Sequence, residues 1–218
     1  MRVVAVVVAG SAHALTPVAG TPSALLAVRA LLAGAPVERV TVLAAGVPVI
    51  ELDAACAGAP VDVLSWHGTW AHTLQRRDAT RSDAPVTAGA DDVVLLHDAC
   101  RPLAPAELGT AVVEAVRTGH DVAVPTLPLT DTVKTVDAGG TVTGTADRST
   151  LRVMQTPIAV RAELLPTDAW GDPFAVVRRH LAAGGHVHTV DGHPAAFAVL
   201  GEWDRELAEL IVDGRIRL

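Results

Sequence analysis

Short runs of Val, Ala and Leu recur along this chain, and stretches with helical spacing lie between them. The runs at residues 3–8, 40–44, 61–64, 93–97 and 122–125 are apolar almost throughout. A strand that faces water on one side alternates in polarity, whereas one covered on both sides has no need to. Continuous apolar runs separated by helices therefore predict an α/β fold with a mainly parallel central sheet and crossover helices.

The helix signals agree. Thr21 and Pro22 read as an N-cap and first helical residue ahead of a helix over 23–33, with Leu25, Val28, Leu31 and Leu32 on one face and a stop at Gly34. A second helix follows Pro105, turns Leu108, Val112, Val113 and Val116 inward, and ends at Gly119. Asp172 and Pro173 open a third that runs to Ala183, and the last spans 202–212 before Gly214. At 218 residues the chain suits a single domain, 1–218.

Residues 131–146 break the rhythm. Thr132-Val133-Lys134-Thr135-Val136 and Thr141-Val142-Thr143-Gly144-Thr145 are β-branched, and Asp137-Ala138-Gly139-Gly140 between them is turn chemistry. The segment is predicted to be a protruding β-hairpin. A lone hairpin is marginal in water, so a contact between two copies of the chain is its natural use.

Composition excludes several functions. A net charge of −7, with four Trp, two Phe and no Tyr, argues against nucleic acid as a partner. The two cysteines, Cys56 and Cys100, make neither a disulfide framework nor a zinc site and read as small buried hydrophobes. The opening apolar run is too short to span a bilayer and stops at Gly10 and Ser11, so it reads as a first strand. A cytoplasmic protein without membrane contact is expected.

The chemistry concentrates in Val93-Val94-Leu95-Leu96-His97-Asp98-Ala99-Cys100-Arg101-Pro102. Ligands of open α/β sheets bind at the carboxyl ends of strands, and this strand delivers His97, Asp98 and Arg101 there. An aspartate can hold a metal ion or a sugar hydroxyl, and an arginine can fork onto a phosphate. The alternative is a salt-bridged strand end with no chemistry.

Several ordered segments carry a resemblance: residues 5–11, His97-Asp98-Ala99-Cys100-Arg101-Pro102, Asp131-Thr132-Val133-Lys134, Asp147-Arg148, Gln155-Thr156-Pro157, and the stretch from Val190 to Phe197. Together they make the chain resemble the 2-C-methyl-D-erythritol 4-phosphate cytidylyltransferases of isoprenoid precursor synthesis. The resemblance implies a Rossmann-like nucleotidyltransferase fold, CTP and a phosphorylated polyol as substrates, magnesium as cofactor, and a homodimer built by the arm at 131–146. By that likeness Asp98 and Arg101 are catalytic; Thr132, Arg148 and Thr156 bind the acceptor, in part across the dimer; and Ala9, Gly10, Ser11 and Thr73 bind the nucleotide. No metal-ligand residues are assigned.

The likeness is uneven. The family's first loop carries an arginine and then Pro-Lys, which gather the triphosphate; here the arginine position is Ala14, and the stretch bearing Pro-Lys is missing before the first helix. Of a Gly-Gly-x-x-Arg-x-x-Ser segment, residues 67–73 keep only the hydroxyl of Thr73. A lysine near the C-terminus is Ala198, and the residue after Pro157 is Ile158 where the family has Gln. His13, or less readily Arg76, Arg77 or Arg81, could replace a lost cation. Each preorganised donor removed from a developing charge costs about 10²–10³ in rate. Weak or absent activity is therefore expected, with a non-catalytic binding or regulatory homologue, or a nucleotidyltransferase with another nucleotide or acceptor, as the alternatives.

Overall fold

A computed structural model describes residues 1–37, 39–66, 88–165 and 171–218. Strand β1 (Val3–Ala9) is followed by two short strands, β2 (Pro17–Val18) and β3 (Thr21–Pro22), and by helix α1 (Ser23–Gly34). Next come β4 (Val40–Ala44), α2 (Val49–Ala55), β5 (Val61–Ser65), β6 (Val93–Asp98), α3 (Ala106–Arg117) and β7 (Val122–Pro128). The hairpin strands β8 (Lys134–Val136) and β9 (Val142–Thr145) precede β10 (Arg152–Met154) and β11 (Ile158–Arg161). Then α4 (Pro173–Ala182), β12 (Val187–Asp191) and α5 (Glu202–Val212) follow.

The main sheet has eight strands. β6, β1, β4 and β5 lie side by side and parallel. β11 runs antiparallel between β6 and β7, β10 pairs antiparallel with the far end of β7, and β12 pairs parallel with β7. The expected α/β class and mainly parallel sheet are present. The antiparallel members and the edge strand β12 are additions to the sequence reading, as is α2.

Both faces are covered, which is why the central strands are apolar throughout. Val3, Ala5, Val7 and Ala9 of β1 pack with residues of α1, α2 and α3, such as Val28, Leu52 and Val112. Val4, Val6 and Val8 pack on the other side with Val176 and Val177 of α4. Gly34 lets α1 and α3 meet closely, because a methyl group there would overlap the backbone of Ala106. Thr110 adds a hydroxyl bond to the carbonyl of Gly34.

The start of α1 corrects one expectation. Thr21 and Pro22 are not its N-cap and first residue but strand β3, paired with Pro17 and Val18. Ala19 (φ 48°) and Gly20 (φ 79°) form a two-residue turn with both residues in the left-handed region, the geometry that suits the twist of a tight hairpin. Pro22 is the N-cap and α1 begins at Ser23, whose amide and hydroxyl both donate to the carbonyl of Thr16, at 3.0 and 2.8 Å.

The predicted hairpin is present. β8 and β9 form their own two-stranded sheet, and the Asp137 carboxylate takes the amides of Gly139 and Thr141 to hold the turn. Val136 and Val142 are each 60% exposed, so the arm has no core of its own. At the far end, α4 is capped as the sequence suggests, with Asp172 accepting from the Phe174 amide at 2.9 Å.

Candidate functional site

The register between β1 and β6 sets Val8 beside Asp98, so the turns leaving both strands emerge together at the carboxyl edge of the sheet. Gly10 and Ser11 leave β1 there. A methyl group on Gly46, in the turn after β4, would overlap the Gly10 carbonyl, so that turn packs directly under the Gly10–Ser11 backbone. Between the two turns lies a cavity of about 220 Å³ whose walls include Gly10, Ser11, Asp98, Cys100, Phe174 and Leu200. That is below the roughly 300–1,000 Å³ of pockets that take drug-sized ligands, and suits one sugar ring or short polyol.

Asp98 is fixed by its own turn. Its Oδ1 accepts the Cys100 amide at 2.9 Å, and its Oδ2 lies 3.9 Å from Arg101 Nε. The second cavity carboxylate, Asp172, is engaged in capping α4 and in an ion pair with Arg178 at 2.6 Å. Among the described residues, Asp98 is thus the cavity carboxylate that keeps one oxygen, Oδ2, without a hydrogen bond. Cys100 Sγ sits 3.5 Å from Ser11 Oγ. Burial, reinforced by the Asp98 charge, pushes its thiol up to about 11, so it acts as packing.

Arg101 is anchored rather than free. Its Nη1 donates to the Ala196 carbonyl at 2.6 Å, and its guanidinium carbon lies 5.7 Å from the centre of the Phe174 ring. Its Nε is buried with no hydrogen-bond partner, and burial lowers its pKa against the opposing pull of Asp98 and Cys100. A buried donor without an acceptor is costly unless a ligand meets it.

Behind Asp98 runs a buried chain of hydrogen bonds. The Asp98 amide donates to Thr156 Oγ1 at 3.1 Å, and that hydroxyl lies 2.8 Å from His97 Nδ1. His97 Nε2 lies 3.2 Å from the carbonyl oxygen of Arg101. A carbonyl only accepts, so Nε2 carries the proton and Nδ1 receives the Thr156 hydroxyl proton. His97 is fully buried, and that burial drives its pKa down from 6.5 to about 3, keeping the ring neutral.

A second clamp ties the C-terminal turn to the same place. The Gln155 amide group donates to the His193 carbonyl and accepts from the His193 amide, both at 2.9 Å. The Val199 amide donates to the Cys100 carbonyl at 2.7 Å. Gly192 is required here, since a methyl group would overlap the Gln155 side chain.

The structure brings some of the expected residues together and separates others. Gly10, Ser11 and Asp98 share the cavity, and Arg101 and Thr156 lie directly behind it. Ala9 is buried and gives only backbone, its carbonyl accepting the Ala45 amide. Thr132 and Arg148 are exposed on and beside the arm, away from this cavity, with Arg148 donating to the Thr130 carbonyl at 2.7 Å. Thr156 is fully buried with its hydroxyl engaged on both sides. Ala14, the position matched to a loop arginine, is also fully buried. Thr73, Arg76, Arg77 and Arg81 lie outside the described residues. The wall residues Phe174 and Leu200, and the role of His97 and Gln155, were not singled out by sequence reasoning. Gln155 and His97 stand beside named motif residues, but nothing local shows which distant atoms they hold.

The model of the family described as 2-C-methyl-D-erythritol 4-phosphate cytidylyltransferase matches residues 6–214. A cytidylyltransferase of that name from Nocardia farcinica is 39% identical over 210 residues, covering 95% of this chain and 89% of its own. One from Rhodococcus jostii is 42% identical over 142 residues, 64% of this chain and 62% of its own. Among solved structures, 4-diphosphocytidyl-2C-methyl-D-erythritol synthase from Anaerococcus prevotii has a TM-score of 0.74 at 16% identity, covering 97% of this chain and 98% of that one. The cytidylyltransferase from Thermus thermophilus has a TM-score of 0.66 at 24% identity, covering 98% and 100%. The structural likenesses establish the Rossmann-like nucleotidyltransferase fold, and the family match with the Nocardia relative goes further: this chain belongs to the 2-C-methyl-D-erythritol 4-phosphate cytidylyltransferase family.

Proposed function

We propose that this protein transfers CMP from CTP to 2-C-methyl-D-erythritol 4-phosphate, as a single-domain cytoplasmic enzyme that dimerises through its arm. A phosphate oxygen of the acceptor attacks the α-phosphorus of CTP; that P–O bond forms, the bond to the bridging oxygen breaks, and pyrophosphate leaves. The observation that carries the reading is one cavity framed by the Gly10–Ser11 turn and Asp98, at the sheet edge where ligands of such folds sit. Ala9, Gly10, Ser11 and Thr73 receive the nucleotide. Asp98 accepts from hydroxyls, and Arg101, anchored behind the cavity on the Ala196 carbonyl, sets its guanidinium 3.9 Å from that carboxylate. Thr132 and Arg148 reach the acceptor phosphate from the second subunit.

No group of three or more metal-binding side chains occurs among the described residues. Magnesium on phosphorylated substrates needs only one or two carboxylates, because the phosphates supply other ligands. Asp98 fits that requirement and would hold the ion. When bound, magnesium offsets charge on the departing pyrophosphate.

We also propose that turnover is slow. No Lys or Arg lines the cavity among the described residues, and Ala12, His13 and Ala14 follow Ser11 where the resemblance expects a cation. Pyrophosphate release with CTP, magnesium and methylerythritol phosphate tests both parts. Slow release that vanishes in Asp98→Ala is expected. Release no faster than in that variant would reject the activity, and micromolar CTP affinity by calorimetry would reject the slow-turnover reading.

A further inference from the structure

We infer that His97 and Thr156 form an internal positioning pair: the buried imidazole holds the Thr156 hydroxyl and the Arg101 carbonyl, and through them sets Asp98 and Arg101. The resemblance treats Thr156 as an acceptor contact. Its geometry assigns it a different task. The side chain is fully buried, its oxygen takes the Asp98 amide, and its proton goes to His97 Nδ1. A hydroxyl has one proton to give, and this one is already given.

The same ring reaches the other side of the motif through Nε2 and the Arg101 carbonyl. Two segments far apart in sequence, the turn after β6 and the loop between β10 and β11, are thereby registered against one another. Asp98 has its amide on the Thr156 hydroxyl and its carboxylate on the Cys100 amide, so losing the first contact frees the residue that faces the cavity. Displacing a reacting group by about 1 Å can cost on the order of 100-fold in rate. The inference rests on the proposed activity for its kinetic consequence, and on geometry alone for the pairing itself.

Four variants separate the roles. Thr156→Val keeps the shape and removes the hydroxyl, and Thr156→Ser restores it. His97→Asn keeps an acceptor where Nδ1 lies, while His97→Gln places a donor near Nε2. The expected result for Thr156→Val is a kcat lowered by about 10–100-fold, with KM for both substrates within about threefold, and recovery in Thr156→Ser. A KM for the acceptor raised tenfold or more at unchanged kcat would make Thr156 a substrate contact and overturn the inference.

Nitrogen-15 NMR reads the pair without turnover. His97 should carry its proton on Nε2 alone, and the Asp98 amide resonance should move in Thr156→Val and His97→Gln and return in Thr156→Ser. A proton on Nδ1, or an Asp98 amide unmoved by both substitutions, would overturn the pairing even in an active enzyme. A protein without turnover that gives the expected spectra leaves the pairing standing and removes only the proposed activity.

Discussion

His97 has both ring nitrogens committed inside the protein and no contact with water, so a second proton has nowhere favourable to sit. Burial lowers its pKa from 6.5 to about 3 in the folded state. Between those values the unfolded chain binds a proton that the native one does not, so stability falls as pH drops through that window. The loss amounts to about 2 kcal/mol at pH 5 and on the order of 4 kcal/mol near pH 3. Urea unfolding at pH 7 and pH 5 should show that fall in wild type and little of it in His97→Gln. Equal slopes in the two proteins would mean that His97 does not titrate this way. At this scale Asp98 and Arg101 were legible because they follow an apolar strand in a run of ten residues. The task of Thr156 was not, since the imidazole that receives its proton lies 59 positions away.

At the scale of elements, the arm is the part that buries least of its apolar surface within its own chain, and the proposed dimer would cover it. Its strands have three and four residues, and Val136 and Val142 face outward. A specific interface buries roughly 1,200 Å² or more, which demands more than one such hairpin. Two arms and the surfaces they reach can supply it. Replacing residues 132–145 by a short glycine linker should therefore yield monomers in sedimentation velocity, with the sheet's circular dichroism retained; an unchanged dimer would refute the arm's role. The hairpin was legible because β-branched flanks and Asp137-Ala138-Gly139-Gly140 are both local signals. β10, β11 and β12 were not. The first two are three and four residues long on either side of Pro157, which reads as a breaker, and β12 mixes His188, Thr189 and Asp191 into an edge. Their identity as strands comes from β6 and β7, which offer edges to pair with. The N-cap assigned to Thr21 failed for a related reason, because pairing with Pro17 and Val18 outweighs a local capping preference.

Across the whole molecule, charge and packing set opposite limits on how a triphosphate could be held. The chain carries a net charge of −7, and the cavity walls bring Asp98 and Asp172 but no cation among the described residues. The α/β/α layering explains why a cation cannot simply be restored where the resemblance places it. Ala14 is packed into the core with β1 and α1, fully buried, so an arginine there would lose its hydration without a partner. Ala12 is exposed, one residue beyond the cavity-lining Ser11, and a guanidinium there stays in water until a phosphate arrives. Ala14→Arg should then destabilise the fold by roughly 3 kcal/mol or more, read as a lowered melting temperature. Ala12→Arg should leave melting unchanged and tighten CTP binding by about tenfold, from a charge-assisted contact of roughly 1.5 kcal/mol, with the gain fading as salt is raised. If Ala12→Arg folds normally and binds CTP no better at low salt, missing positive charge at this turn is not what limits the nucleotide. If Ala14→Arg melts like wild type, the packing that separates the two positions is not as described.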